Sequence, residues 1–203
     1  ELDLLKEINN LQEEIIKADI KNEEKIWKSM DGDVSLENLL SKMTKDELIK
    51  VAKRYFVKGI TTLKKADAVS KIKEVIIENA TTMLYMMDEE ALKFLEALIN
   101  ANGYKEYQCS DIVYANFLRN RGIAFTVMEN EEPYIILPDE IKEIFKKLAL
   151  KDLREKVKVN SEAIKAIAGM AYYYGVVSIE TIGYILSNLF TEEFGLEDIN
   201  SLI

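Results

Sequence analysis

Apolar positions of helical period begin the chain: Leu4, Ile8, Leu11 and Ile15 recur at steps of four, three and four, with Glu, Lys and Asn between them. That spacing puts the apolar side chains on one stripe of an amphipathic helix. The stripe suits a packing helix better than a coiled-coil seam, for which two heptads are too few. Asp31, Gly32, Asp33 and Ser35 come next, in an Asp-Gly order that looks like the start of a calcium loop. Val34, Leu36 and Leu39 cannot supply its remaining oxygen ligands, so the stretch reads as a turn into a capped helix.

The sharpest pattern lies between Ser41 and Asn79. Thr44 and Glu47 have capping-box spacing, in which hydroxyl and carboxylate each satisfy a free N–H at a helix start. A helix is therefore predicted from near Lys45 to near Phe56, burying Leu48, Val51, Ala52 and Tyr55. Val57 to Thr62 reads as an extended link in which Gly59 supplies a backbone conformation closed to other residues and Thr62 caps the next helix. That second helix is predicted from about Leu63 to Ile77, with Leu63, Ala66, Val69, Ile72 and Ile76 inward.

Further on, Ala91, Leu92, Leu95, Leu98 and Ile99 form a helical stripe stopped by Asn102-Gly103. Another helix is suggested by Ile112, Val113, Phe117 and Leu118 and closed by Arg121-Gly122. Residues 123–127 and 134–137 then read as two strands joined through the polar residues Glu129, Asn130, Glu131, Glu132 and Pro133. Pro138-Asp139 starts a new helix with acids in its first turn. The last segment predicts a helix from Ser161 through Tyr174 with Ile164, Ile167, Ala168 and Ala171 inward. A turn at Gly175 to Ser178 and a helix through Ile182, Ile185, Leu186 and Leu189 complete a helical hairpin. Tyr172, Tyr173 and Tyr174 point about 100° apart on a helix, so they cannot form one stacking surface, and at least one is expected in the core.

Composition narrows the chemistry. Among 203 residues there is no histidine and one cysteine, Cys109. This excludes histidine-based nucleophilic systems, histidine metal sites, cysteine zinc clusters and an intrachain disulfide. No glycine-rich phosphate loop or dinucleotide fingerprint is present, and the carboxylates are spread over solvent faces. The expectation is a protein without enzymatic activity, cofactor or metal. With 48% apolar and 31% charged residues the chain can bury a core. Only two prolines and eight glycines interrupt it, so it should be mainly helical. No apolar run reaches a membrane span, and the lone cysteine without an export signal fits the cytoplasm. Starting at Glu1 and ending at Leu202-Ile203, the sequence leaves open that it is a piece of a longer protein.

Charge is distributed unevenly. The chain carries a net charge of -9, against general nucleic-acid binding over its whole surface. Between Ser41 and Lys73, however, ten basic residues stand against three acidic ones, a local +7 that leaves -16 for the remainder. A basic island of this kind is what local phosphate contact needs, although the solvated faces of two small helices would also be polar.

Residues 39–77 resemble the helix-extended-helix module of the Rho termination factor N-terminal family, which is similar to SAP and LEM modules. The resemblance is carried by Met43-Thr44-Lys45-Asp46-Glu47-Leu48, Ala52, Lys58-Gly59 and Leu63-Lys64-Lys65-Ala66-Asp67. It implies DNA or RNA binding, or protein binding as in some relatives, with contact through the Lys-Gly link and the second helix start. On this chain those positions are Lys58, Gly59, Thr61, Thr62, Lys64 and Lys65.

The run from Phe117 to Ile141 is similar to helicase-associated winged domains, in which Leu-Arg-x-Arg-Gly leads into a hairpin and Leu-Pro-Asp-Glu. If this unit bound DNA, the preceding helix would offer Tyr114, Asn116, Arg119, Asn120 or Arg121 to the major groove. Glu129, Glu131 and Glu132 on the wing would oppose phosphate, which favours protein packing here. Arg54, Arg119 and Arg121 are thus secondary candidates. The expected fold is mainly α: an N-terminal helix and turn over 1–38, the helix-extended-helix module over 39–79, a winged-helix-like α+β unit with one short hairpin over 80–150, and a C-terminal helical unit over 151–203. The expected function is local DNA or RNA binding by a regulatory or accessory protein; the alternative is an acidic helical scaffold for a protein partner. Neither a membrane partner nor any particular oligomeric state is indicated.

Overall fold

A computed structural model describes residues 27–30, 32–190, 194–195 and 199. The Leu4–Ile15 stripe and Asp31 lie outside the described residues. The fold is mainly helical, as expected, with eight α-helices and one small mixed sheet among those residues. The helices are α1 (Leu36–Lys42), α2 (Lys45–Arg54), α3 (Lys65–Tyr85), α4 (Glu89–Asn100), α5 (Ile112–Arg119), α6 (Asp139–Lys146), α7 (Leu150–Tyr174) and α8 (Ile179–Leu189). The strands are β1 (Lys28–Ser29), β2 (Tyr104–Glu106), β3 (Phe125–Glu129) and β4 (Glu132–Ile136), in the order β1-β3-β4-β2.

Side-chain caps mark half of the eight helix starts. Ser35 caps α1, its hydroxyl accepting from Asn38 N–H. Thr44 and Glu47 form the full capping box of α2, Asp88 caps α4 and Ser178 caps α8. The hairpin is tighter than its sequence suggested. Strands β3 and β4 run to Glu129 and from Glu132, leaving Asn130 and Glu131 as a two-residue loop, both at positive φ (49° and 68°). Such a turn matches the twist of antiparallel strands. The sheet also gains two strands that composition did not reveal: β2, antiparallel to β4, and the two-residue β1, parallel to β3. Both are too short for a period-2 pattern to register.

Where a helix ending at Ile77 was predicted, α3 continues to Tyr85. The polar residues after Ile77 do not stop it. Asn79 satisfies its amide on Val75 O within the helix (2.8 Å), and Ala80 and Leu84 extend the buried stripe of Ala68, Val69, Ile72 and Ile76. The expected boundary between residues 79 and 80 therefore falls inside one helix. A single core runs from Leu36 to Val157, taking in residues from α1 to the first half of α7. Long-range polar contacts lock the same body: Glu140 accepts from Leu36 N–H (2.9 Å), and Tyr55 OH donates to Arg121 O (2.7 Å).

Helix α7 also begins earlier than predicted, at Leu150, and belongs to two cores. Its first half closes the main one. Its second half, through Ala163 and Met170, joins Ile182, Leu186, Phe194 and Ile199 in a smaller cluster. The inward face is rotated from the prediction, since Ala168 and Ala171 are exposed. So are all three tyrosines, Tyr172, Tyr173 and Tyr174, at 84%, 81% and 72% of their full surface. The expected burial of one of them fails because the hairpin core ends at Met170, a turn before the tyrosines.

Candidate nucleic-acid interface

The link between α2 and α3 is built by three local devices. Helix α2 ends at Arg54, with Tyr55 as its C-cap; Phe56 then takes a left-handed conformation (φ 54°), its N–H donating to Lys53 O (3.2 Å) while Val57 N–H donates to Ala52 O (3.0 Å). This is a Schellman stop, a place where glycine is usual because a side chain is strained there. Gly59 makes the second left-handed step (φ 81°), as its sequence position predicted. Residues Ile60–Thr62 then form a 3-10 turn instead of an extended strand, anchored by Ile60, which is buried in the core.

Helix α3 begins at Lys65, with Lys64 at its cap position and no side-chain cap hydrogen bond among the described residues. Thr62 does not cap it. The Thr62 hydroxyl donates to Gly59 O (2.9 Å) and closes the 3-10 turn.

All six positions expected at the interface, Lys58, Gly59, Thr61, Thr62, Lys64 and Lys65, are exposed on this link or at the helix start. Two further lysines are folded onto it. Lys45, from the first turn of α2, donates to Thr61 O (2.8 Å), and Lys71, from the second turn of α3, reaches Lys58 O (3.5 Å). Lys45, Lys58, Lys64, Lys65 and Lys71 thus surround one link. None of the five forms an ion pair with an acid among the described residues. The acids nearest to them in sequence, Asp46 beside Lys45, Asp67 in the first turn of α3 and Glu74 three residues after Lys71, are all solvent-exposed. The spacing rules gave no signal for Lys45 and Lys71, because only the closed hairpin brings the start of α2 and the second turn of α3 to the link.

The basic island is not uniformly free. Lys73 is paired with Glu37 (2.8 Å). Glu47 carries its own cluster: it accepts from Thr44 N–H (2.6 Å), from Arg119 and, as an ion pair, faces Lys28 at 3.3 Å. Burial pushes the Glu47 carboxyl up, but the Thr44 N–H and the charges of Arg119 and Lys28 outweigh it, so its pKa lies below the usual carboxylate range.

The secondary arginine candidates divide. Arg54 is exposed at the end of α2. Arg119 is only 7% exposed and is engaged by Glu47. Arg121 is 8% exposed, its guanidinium lying 3.6 Å from the centre of the Phe117 ring and donating to Phe117 O (3.2 Å). Burial, and then the neighbouring charge of Arg54, pull its pKa down to about 10. No carboxylate pairs with it among the described residues. Positive charge therefore accumulates, uncompensated, where α2 ends.

Helix α5 does not present the face expected of a groove-reading helix. Tyr114 packs on Phe94 (ring centres 5.7 Å apart), Asn116 is half-buried, and Arg119 and Arg121 are turned into the body. Of the five proposed contact residues only Asn120 is exposed. The reason is that α5 is a single eight-residue helix wedged between α4 and β3, so its sides are spent on packing. The hairpin tip, with Glu131 and Glu132 exposed, is acidic as predicted.

A second surface stands apart from the link. At the tip of the α7–α8 hairpin, Tyr172, Tyr173, Tyr174 and Val176 are largely exposed, Tyr172 and Tyr173 touching edge to face at 5.3 Å, and Tyr184 in the second turn of α8 is exposed as well. Among the described residues, no group of three metal-ligating side chains occurs and no helix is long and apolar enough to cross a membrane. Compared with known proteins, the chain matches no family model, no curated protein and no solved structure.

Proposed function

We propose that this protein is a non-enzymatic regulatory or accessory factor of the cytoplasm that binds DNA or RNA through the α2–α3 link. One observation carries the reading: five exposed lysines, Lys45, Lys58, Lys64, Lys65 and Lys71, surround that link without an acidic partner among the described residues. In a chain of net charge -9 this is a local phosphate-binding surface, able to displace counterions from a nucleic-acid backbone. The resemblance of residues 39–77 to the Rho termination factor N-terminal module points to the same link. Phosphate contacts position a nucleic acid without reading its sequence, so the binding is expected to be strongly salt-dependent and weakly sequence-selective. The exposed thiol of Cys109 is compatible with a reducing compartment.

The test is fluorescence anisotropy of short single- and double-stranded DNA and RNA with the whole chain, at low and moderate salt. A Lys58→Glu, Lys64→Glu, Lys65→Glu variant, checked for native circular dichroism, should lose binding and flatten the salt slope by roughly 0.7–0.9 per lost contact. Unchanged binding by that variant would refute the assignment. A second reading, a scaffold for a protein partner, draws on the exposed tip residues Tyr172, Tyr173, Tyr174 and Val176, since exposed apolar patches commonly mark protein interfaces.

A further inference from the structure

Phe56 stands out on the basic surface. It is 71% exposed and lies two residues from Arg54 and two from Lys58, so chain length alone keeps the backbone of each within about 7 Å of its own. It also occupies the left-handed stop of α2 at φ 54°, where a bulky side chain is a conformational outlier and glycine would be relaxed. Its ring is not needed for the fold, since the two hydrogen bonds of the stop are made by backbone alone and the ring faces solvent. A strained residue with an exposed aromatic ring inside a run of cations is a poor choice for stability and a good one for binding. The charge around it sets the class of ligand. Exposed Arg54 precedes it in the chain and the exposed link lysines Lys58, Lys64 and Lys65 follow it, which suits a polyanion bearing flat rings.

We infer that the ligand of the α2–α3 link is single-stranded nucleic acid, with an unpaired base stacked on Phe56 while Arg54, Lys58 and Lys64 hold the flanking phosphates. A duplex hides its base faces and would leave the ring uncovered; a single strand offers one face per nucleotide. This inference rests on the nucleic-acid reading above and specifies which form of nucleic acid the site takes.

The experiment uses the whole chain and labelled 12-nucleotide DNA and RNA strands, the same DNA strand with central abasic sites, and a matching duplex. Two variants are compared with the wild type. Phe56→Gly removes the ring and relaxes the backbone, so its urea midpoint should rise while its affinity for the base-bearing strand falls at least about fivefold. Its salt slope should not change, because no phosphate contact is lost. Phe56→Gly should bind the abasic strand as the wild type does. Phe56→Trp should keep the affinity and show indole quenching with the base-bearing strand only, above the constant signal of the single native tryptophan, Trp27.

Equal affinity of wild type and Phe56→Gly for the base-bearing strand would overturn the stacking inference. So would tighter binding of duplex than of single strand. If that equality came with full dependence on Lys58, Lys64 and Lys65, the nucleic-acid reading would stand and only the stacking would fall. Absence of binding to every probe at low salt would overturn both.

Discussion

Glu47, third residue of α2, accepts a hydrogen bond from Arg119 of α5, 72 residues further along the chain. One carboxylate oxygen thereby closes the capping box of the basic hairpin while the other neutralises an arginine of the sheet-bearing half. The two halves are joined through a charge pair whose side chains are 13% and 9% exposed. Removing one member leaves the other buried with less compensation, and the cost of that exceeds the worth of the pair itself. Arg119→Met is expected to destabilise the fold by about 3 kcal/mol in urea unfolding. Its salt slope for nucleic acid should equal that of the wild type, because Arg119 faces Glu47 and not solvent. A stable Arg119→Met protein with a flattened slope would return this arginine to the interface.

The same carboxylate makes stability depend on acid. The folded-state pKa of Glu47 is depressed below its unfolded value, so its contribution is fully present above about pH 4.3 and is lost as pH falls through the lower folded value. Urea midpoints measured from pH 6 down to pH 3 should decline. In Glu47→Gln that decline should be shallower, from a lower starting point at pH 6. Parallel pH profiles for the two proteins would assign the acid sensitivity to other carboxylates.

Much of this architecture was legible in the residues. The Thr44-Glu47 spacing marked the start of α2, Asn102-Gly103 the end of α4, and Gly59 the left-handed step, because each is a local backbone requirement met by a particular side chain. What depends on distant partners was not legible. Arg119 and Arg121 read as candidate contacts because a basic residue on a short helix gives no sign that Glu47 or the Phe117 ring will cover it. The gathering of Lys45 and Lys71 at the link is likewise a product of hairpin closure. Phe56 was visible only as the end of a helix; its strain and exposure emerge from the backbone path.

Asn160 is a buried amide in the middle of α7, and its position there follows from the turn between α3 and α4. Its side-chain N–H groups donate to Tyr85 O (2.8 Å) and Met87 O (2.9 Å), satisfying carbonyls at the end of α3. Ser161 beside it accepts from Glu89 N–H (2.8 Å) at the start of α4. Asn160→Ala deletes both bonds and strands two carbonyls, at a cost of about 2–3 kcal/mol. Guanidinium unfolding at pH 7 checks this; a loss under about 0.5 kcal/mol would mean that water replaces the amide without penalty.

Gly122 turns the chain from α5 into β3 at φ 64°, and a Cβ there would lie 2.5 Å from Cδ1 of Ile76, which is fully buried in α3. Backbone strain and overpacking act in the same direction. Gly122→Ala should therefore destabilise by about 2–4 kcal/mol. Gly59→Ala meets open space, so only the strain of its positive φ applies and the loss should be about 1–2 kcal/mol. Thermal melts of the two variants side by side separate the contributions, and the ordering is the decisive result. An equal loss at both sites would show that Ile76 moves aside freely.

The tyrosines at the α7–α8 tip contribute surface without contributing core. Met170 is the last buried residue of α7, and beyond it Tyr172, Tyr173 and Tyr174 are largely exposed, Tyr172 and Tyr173 meeting edge to face. Replacing Tyr172 and Tyr174 by Ser should leave the unfolding free energy within about 0.5 kcal/mol of the wild type, as for other exposed positions. A drop of several kcal/mol would mean that the rings are covered in solution. If the tip binds a protein or a second copy of the chain, sedimentation velocity of the wild type should show a concentration-dependent or partner-dependent species that the double variant lacks. Anisotropy with single-stranded DNA should be the same for both proteins, because neither substitution alters a residue assigned to the α2–α3 link. A double variant that lost nucleic-acid binding while remaining folded would instead move the binding surface from Lys58 and Phe56 to the end of α7.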